Sequence, residues 1–360
     1  MTTTATAKKS TNAKARLVAN DNGYAAHKVA WIDNEGKIMT SKIPTLIQVG
    51  GTGGVTTLTG KSVGSYSVEG VEYHCSTLLN EPMNLRNADY PVSVANRVLF
   101  THALAKFGLL GGPIRGAVTL PFRDYFKADG SINNALNEKT VENFMQGNVK
   151  VNGSPVQPEI LSVRVCAEAL SAWFDWAMND DGTMSEAYEE LQSRDGTMLV
   201  VDIGGSTTDI ASLGLENGEL LINQQRSGTE KVGVLDALGK LEELVQAKMA
   251  AEGEEGMSGH GSALPPKLLE QILEKGTCTY SSRNWDFTAE RDTACNAVAD
   301  RIVNAIKSKV GNPGEYYAIL VVGGGAIVFL KWLKAMFKNA VFGDEFSNAK
   351  GALKYMRGAE

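Results

Sequence analysis

The stretch Met198-Leu199-Val200-Val201-Asp202-Ile203-Gly204-Gly205-Ser206-Thr207-Thr208-Asp209-Ile210 decides the reading of this chain. An apolar run ends at Asp202, turns over two glycines and two hydroxyl residues, and resumes at Ile210-Ala211-Ser212-Leu213. Glu216-Asn217-Gly218 then supplies a second turn. This is strand, tight turn, strand, hairpin. The glycines let backbone N–H groups approach a polyphosphate closely, and Ser206 and Thr207 add hydroxyl donors beside Asp202. The N-terminal region repeats the plan. Leu17-Val18-Ala19 leads into Asp21-Asn22-Gly23, then Lys28-Val29-Ala30-Trp31-Ile32, with Asn34-Glu35-Gly36-Lys37 as the next turn. Lys28 can fold back toward its own turn. Asp21 and Asp202 facing one polyphosphate would share a hydrated magnesium ion, which takes few protein ligands. Each turn alone is a common hairpin signal. The pair, half a chain apart, indicates two domains on related plans with a boundary near residue 195.

Outward from these turns the chain alternates. Val94–Phe107, Ser162–Met178, Val234–Ala251, Leu264–Lys275 and Thr288–Val310 read as helices. Ile114–Leu120 and Tyr317–Val322 read as strands, the latter running into Gly323-Gly324-Gly325. Strands alternating with helices imply α/β layers. Gly253–Ser262 reads as a loop. Gly60-Lys61-Ser62 mimics the end of a P-loop, but the required earlier glycine falls at Val55, so Gly50–Ser62 reads as a hairpin region.

The 360 residues include 35 basic and 41 acidic side chains, a net charge of −6. A sequence-independent nucleic-acid binder carries a basic surplus to neutralise phosphate, so direct DNA binding by the whole chain is not expected. Cys75, Cys166, Cys278 and Cys295 form no CxxC pair, and the four histidines are dispersed. Scattered thiols fit a reducing, cytoplasmic setting, and no metal-ligand spacing is present. The charge-free apolar stretch Tyr316–Leu330 is fifteen residues long, where a membrane span needs about 20. Residues 1–16 hold four basic and no acidic side chains and no apolar block. They read as a disordered basic tail rather than a secretory signal.

Taken together, the blocks resemble the actin-like ATPase superfamily and, within it, the ParM/StbA family of plasmid-partition proteins. Asp21-x-Gly23 followed by Lys28 resembles the family's first phosphate motif, and Asp202–Ile210 its second. Val322-Gly323-Gly324-Gly325-Ala326 resembles its nucleoside motif. Two blocks point to ParM/StbA in particular. One is His102-Ala103-Leu104 through Gly108-Leu109, with Val118-Thr119-Leu120-Pro121-Phe122-Arg123-Asp124-Tyr125-Phe126. The other is Val149-Lys150-Val151-Asn152-Gly153 leading to Gln157-Pro158-Glu159. The likeness runs in order over residues 17–355.

The resemblance implies an actin-like fold, with two related α/β domains of a duplicated ribonuclease H-like core flanking a nucleotide cleft. Domain I would span 17–194 and domain II 195–345, and 346–360 would return to domain I. ATP, or GTP since backbone glycines contact either base, would bind with Mg2+. Asp21 and Asp202 would hold the metal through water, and Lys28 would contact the β-phosphate. Gly204, Gly205, Ser206 and Thr207 would wrap the terminal phosphates. Glu159, at the head of the connecting helix, would orient the attacking water. Gly228 and Gly233 would pass the sugar, and Gly323, Gly324 and Gly325 would back the nucleoside. Where relatives carry a small hydroxyl residue, Gly23 is followed by Tyr24, Ala25 and Ala26, so grip at the first turn would rest on backbone N–H groups and Lys28.

The implied function is a filament-forming ATPase that segregates plasmid or other extrachromosomal DNA through a DNA-binding adaptor of ParR type. Hydrolysis would drive filament turnover, with no membrane partner. A metabolite kinase or other non-polymerising ATPase on this fold is the alternative; a kinase would add a substrate base opposite the phosphate. Asp209 reads as structural and His27 as an ordinary strand side chain. Arg123 and Asp124 read as caps of a helix after Pro121, and Trp173, Phe174 and Trp176 as core.

Overall fold

The hydrophobic run Leu17–Ala19 and its partner Val29–Ala30 are buried, as befits strands covered on both faces. In a computed structural model of the chain, which describes residues 15–50, 55–58, 60, 63–79, 82–253, 264–337 and 340–358, they build the centre of a five-stranded sheet. Its order is Ile38–Pro44, Ala26–Ile32, Arg16–Asn22, Pro113–Leu120, Glu159–Ala167. The first three strands are antiparallel hairpins and the last two run parallel to Arg16–Asn22.

The second half repeats this path. Glu219–Ile222, Thr208–Glu216, Thr197–Ile203, Ala318–Val322 and Ala340–Phe342 lie in the same third-second-first-fourth-fifth order, with Gly228–Glu230 added beside Thr208–Glu216. Again the hairpins are antiparallel and the crossovers parallel. The expected duplicated α/β core is therefore present. Helices Val94–Lys106, Val234–Ala251 and Thr288–Val310 stand where the apolar spacing put them. A four-stranded sheet (Gln48–Val49, Val71–His74, Ser65–Val68, Lys150–Val151) is inserted in the first half. The hairpin Thr277–Tyr280/Arg283–Asp286 is inserted in the second. Much of the N-terminal tail, of Gly50–Ser62 and of Gly253–Ser262 falls outside the described residues.

The segment 159–178 departs from expectation. It is a strand, Glu159–Ala167, and then a separate helix, Leu170–Ala177. Val163 and Val165 alternate with polar residues, the period-2 pattern of a strand, and β-branched side chains favour it. Chain direction changes at Ala169, whose φ is 62°. Trp173 is buried in the core between Leu170–Ala177 and the second sheet, with Phe174 and Trp176 partly buried against it. The final helix, Ser347–Gly358, packs Ala349, Ala352, Leu353 and Met356 against Leu17, Ala19, Ala30 and Ala117 of the first sheet.

Candidate active site

The carboxyl ends of both central strands open on one cleft of about 1010 Å³. Strand register sets the first wall. Asp21 and Lys28 are cross-strand partners in the first hairpin, and Lys28 Nζ donates to Asp21 Oδ2 at 3.0 Å. Both are buried. On the neighbouring parallel strand, Thr119 N–H donates to Asn22 Oδ1 at 2.9 Å. The Thr119 hydroxyl lies 3.2 Å from both Asp21 Oδ1 and Glu168 Oε1. It has one proton, so it serves one carboxylate at a time.

The second wall is the loop Gly204–Thr207. Gly204 N–H donates to the Thr207 carbonyl at 2.8 Å, closing the turn. The Gly204 and Gly205 carbonyls accept from Val234 N–H at 3.1 Å and Leu235 N–H at 2.8 Å, at the start of helix Val234–Ala251. In planar trans peptides this points the N–H groups of Gly205 and Ser206 the opposite way. The two walls touch: a Cβ on Gly205 would lie 2.6 Å from the Cβ of Ala25. Gly205 and the small Ala25 are what allow the turns to approach.

Three carboxylates meet at the base. Oxygens of Glu168, Asp202 and Asp209 lie within 4.8 Å of one another. Asp202 Oδ2 accepts from Asn348 Nδ2 at 2.6 Å, and Asn348 Oδ1 accepts from Ala169 N–H at 3.2 Å. The last helix thus ties the second-sheet aspartate to the end of the first sheet. Asp209 Oδ1 accepts from Phe122 N–H at 2.7 Å and from the Thr229 hydroxyl, while its buried Oδ2 accepts from no N–H or hydroxyl donor among the described residues and faces the carboxyl group of Glu168.

Burial, reinforced by repulsion from Asp21 and only partly offset by Lys28 and the Asn348 hydrogen bond, pushes Asp202 up to about 6. It pushes Asp209 up to about 7, against the Thr229 hydrogen bond, and raises Glu168 well above the usual carboxylate range. Burial works against the Lys28 cation, but Asp21, Asp202 and Glu168 outweigh it and its pKa rises. The Asp209 oxygen facing Glu168, among three crowded acids, suits a hydrated divalent cation, which would remove the repulsion.

The sequence-derived residues divide. Asp21, Gly23, Lys28 and Asp202 line the cleft, as do the loop Gly204–Thr207 and Gly324. Gly323 and Gly325 sit one layer back, where a Cβ would run into Ile203. Gly233 caps helix Val234–Ala251 against the Gly204 and Gly205 carbonyls. Gly228 faces Lys309 and Arg123 instead of the cleft lining. Glu159 requires correction. It begins a strand, exposed, opposite Pro113 at the far end from the cleft. Nine residues of extended chain, roughly 30 Å, separate it from Glu168, which the cleft does contain.

Arg123 and Asp124 make no side-chain cap on Phe122–Tyr125. Arg123 instead donates to the carbonyls of Gln224 and Ser227, pinning the first half to the second. His27 is buried, with Nδ1 3.1 Å from Asn20 Nδ2 and Nε2 2.6 Å from the Tyr90 hydroxyl. Sequence reading missed Glu168, Asn348, Thr119 and Arg86. For Glu168 the signal was present, a carboxylate directly after an alternating strand, but it was hidden by reading that strand as helix.

Comparison with known proteins agrees with this architecture. Residues 16–179 match the family model of the plasmid segregation protein ParM, N-terminal part. Residues 200–335 match that of the archaeal actin homologue MreB-like, C-terminal part. No curated protein matches the sequence. Among solved structures, a non-polymerisable quadruple mutant of pCBH ParM is 19% identical, with a TM-score of 0.72 over 96% of this chain and 99% of its own. A ParM in a 15-stranded filament from Clostridium botulinum is 19% identical, with 0.71 over 95% and 98%. The archaeal actin homolog Ta0583 in complex with ADP is 17% identical, with 0.68 over 95% and 98%. With its first half similar to the N-terminal part of ParM, its second half similar to the C-terminal part of an archaeal actin homologue, and nearly the whole length superposing on solved structures of both kinds, the chain has the actin-like fold.

Proposed function

We propose that the chain is a nucleotide-dependent, filament-forming ATPase that moves plasmid or other extrachromosomal DNA through a DNA-binding adaptor of ParR type. The observation that carries this reading is the meeting of two Asp/Gly turns, Lys28 and the buried Glu168 at one cleft between duplicated sheets, with Asp209 packed behind Glu168 and Asp202. The ParM relatives include one solved as a filament, and an archaeal actin homolog was solved with ADP. The net charge of −6 fits a filament that leaves DNA contact to an adaptor. We take domain I as 17–194, domain II as 195–345, and 346–360 as returning to domain I.

Phosphoryl transfer is mostly positioning and charge stabilisation. Lys28 and the N–H groups of Gly205 and Ser206 face the phosphates. A magnesium ion would supply charge neutralisation there, and Asp202 and Asp209, with Asp21 beside Lys28, are the residues to hold it through water. Glu168 takes the role expected of Glu159. It is buried and lines the cleft beside Asp202, within the space where a carboxylate could hold and deprotonate an attacking water. Gly324 lines the nucleoside side, where backbone contact fits ATP or GTP.

Sedimentation and electron microscopy with Mg2+ and a slowly hydrolysed ATP analogue test this. Polymer that appears with the analogue and is lost on hydrolysis supports the reading. A chain that binds nucleotide yet stays monomeric under broad conditions removes the filament. Phosphate release that requires an added acceptor would point to a metabolite kinase.

A further inference from the structure

Arg86 leaves the first half on the loop before helix Val94–Lys106 and reaches the second half. Its Nε donates to Ser206 Oγ at 2.5 Å, and its Nη2 to the Ser206 carbonyl at 3.4 Å and to Asp236 Oδ2 at 3.0 Å. Asp236 lies in the first turn of helix Val234–Ala251, and the same oxygen accepts from Gly233 N–H at 2.8 Å. Arg301 Nη1 stands 3.9 Å from the other oxygen of Asp236. One guanidinium thus joins residues 120 and 150 positions away, on the loop that forms the second wall and on the helix that receives its carbonyls.

The chemistry of Ser206 gives this contact direction. A hydroxyl has one proton and two lone pairs. Nε–H fills a lone pair, so the hydroxyl proton must turn away from Arg86, and Ser206 lines the cleft. We propose that Arg86 is a positioning residue for the terminal phosphate. It sets Ser206 as a hydrogen-bond donor into the cleft, and through Asp236 it latches the two halves together. The inference rests on the nucleotide reading above. Lysine would not replace it, since a single ammonium lacks the fork that spans Ser206 and Asp236.

Calorimetric titration of the full chain with Mg2+ and the imido analogue of ATP, or ADP, tests this on Arg86→Ala, Arg86→Lys, Ser206→Ala and the Arg86→Ala/Ser206→Ala double variant. Arg86→Ala should weaken the triphosphate analogue about tenfold and ADP by less than about threefold, the scale of a lost charge-assisted hydrogen bond. Arg86→Lys should not rescue it, and the double variant should be no weaker than Ser206→Ala alone. Unchanged affinity in Arg86→Ala, or losses that multiply in the double variant, overturns the proposal while leaving the nucleotide reading intact. A wild-type chain that binds neither nucleotide overturns both. Amide hydrogen exchange without nucleotide reads the latch separately: Arg86→Ala and Asp236→Asn should each speed exchange at 204–207 and 234–236. Unchanged exchange there overturns the latch.

Discussion

Glu159 and Glu168 belong to the two ends of one strand, and their contrast is the sharpest residue-level test. Glu168→Gln keeps the shape and removes the base. Hydrolysis should fall about 10²–10⁴-fold with nucleotide affinity largely kept, as a phosphate-release assay would report. Glu159→Ala, at an exposed position, should leave turnover within about twofold, as surface changes generally do. Equal loss in both would return the catalytic role to Glu159. His27 supplies a pH test away from the carboxylates. Burial, then the nearby His102 and Lys28 charges, pushes its pKa down to about 3. Between that value and its ordinary 6.5 the unfolded chain binds the proton and the folded chain does not. Its contribution is therefore whole above pH 6.5 and is lost as pH falls. The stability margin of wild type over His27→Gln should shrink by about 2–3 kcal/mol from pH 7 to pH 4, measured by urea unfolding. A constant margin would mean that His27 is protonated in the fold.

At the scale of elements, helix Ser347–Gly358 links the two halves of the site. Its Asn348 holds Asp202, and its Lys354 is buried, bonded to Asp175 Oδ1 at 2.9 Å and to the Met178 carbonyl at 2.8 Å. Gly351 between them lies on the backbone of helix Leu170–Ala177, and a Cβ there would fall on the Ser171 carbonyl. Neither backbone can yield cheaply, because each is fixed by its own helix. Gly351→Ala should cost about 3 kcal/mol or more and lower the melting temperature. Because the same helix carries Asn348, it should also weaken nucleotide binding. A variant that melts like wild type would show that the helix shifts freely.

At the scale of the whole molecule, an ion pair between Lys42 and Glu345 spans the cleft. Lys42 Nζ lies 2.7 and 2.8 Å from the Glu345 carboxylate, but the Lys42 side chain is 52% exposed. Water competes for such a pair, which is worth about 0–1 kcal/mol. Lys42→Ala should change unfolding free energy by less than about 0.5 kcal/mol and leave assembly intact. A large loss would make this bridge, rather than Arg123 and the last helix, the tie between the halves.

The sequence by itself determined the duplicated α/β plan, because apolar periodicity and Asp/Gly turns are local signals set by neighbours along the chain. Residues 198–210 and their echo at 17–32 foretold both hairpins, and the actin-like resemblance supplied the cleft between them. It also placed Asp21, Lys28, Asp202 and the loop 204–207, since motif spacing fixes which residues end a strand. Only the tertiary structure decided which carboxylates meet. Asp209 is Asp202's own hairpin partner, but Glu168, Asn348 and Arg86 come from distant segments, and strand register and helix packing, not local pattern, bring their polar atoms together. The same reason explains Glu159: the resemblance laid the role on an acid at the start of the strand, and only the fold shows that Glu168, at the strand's other end, reaches the cleft.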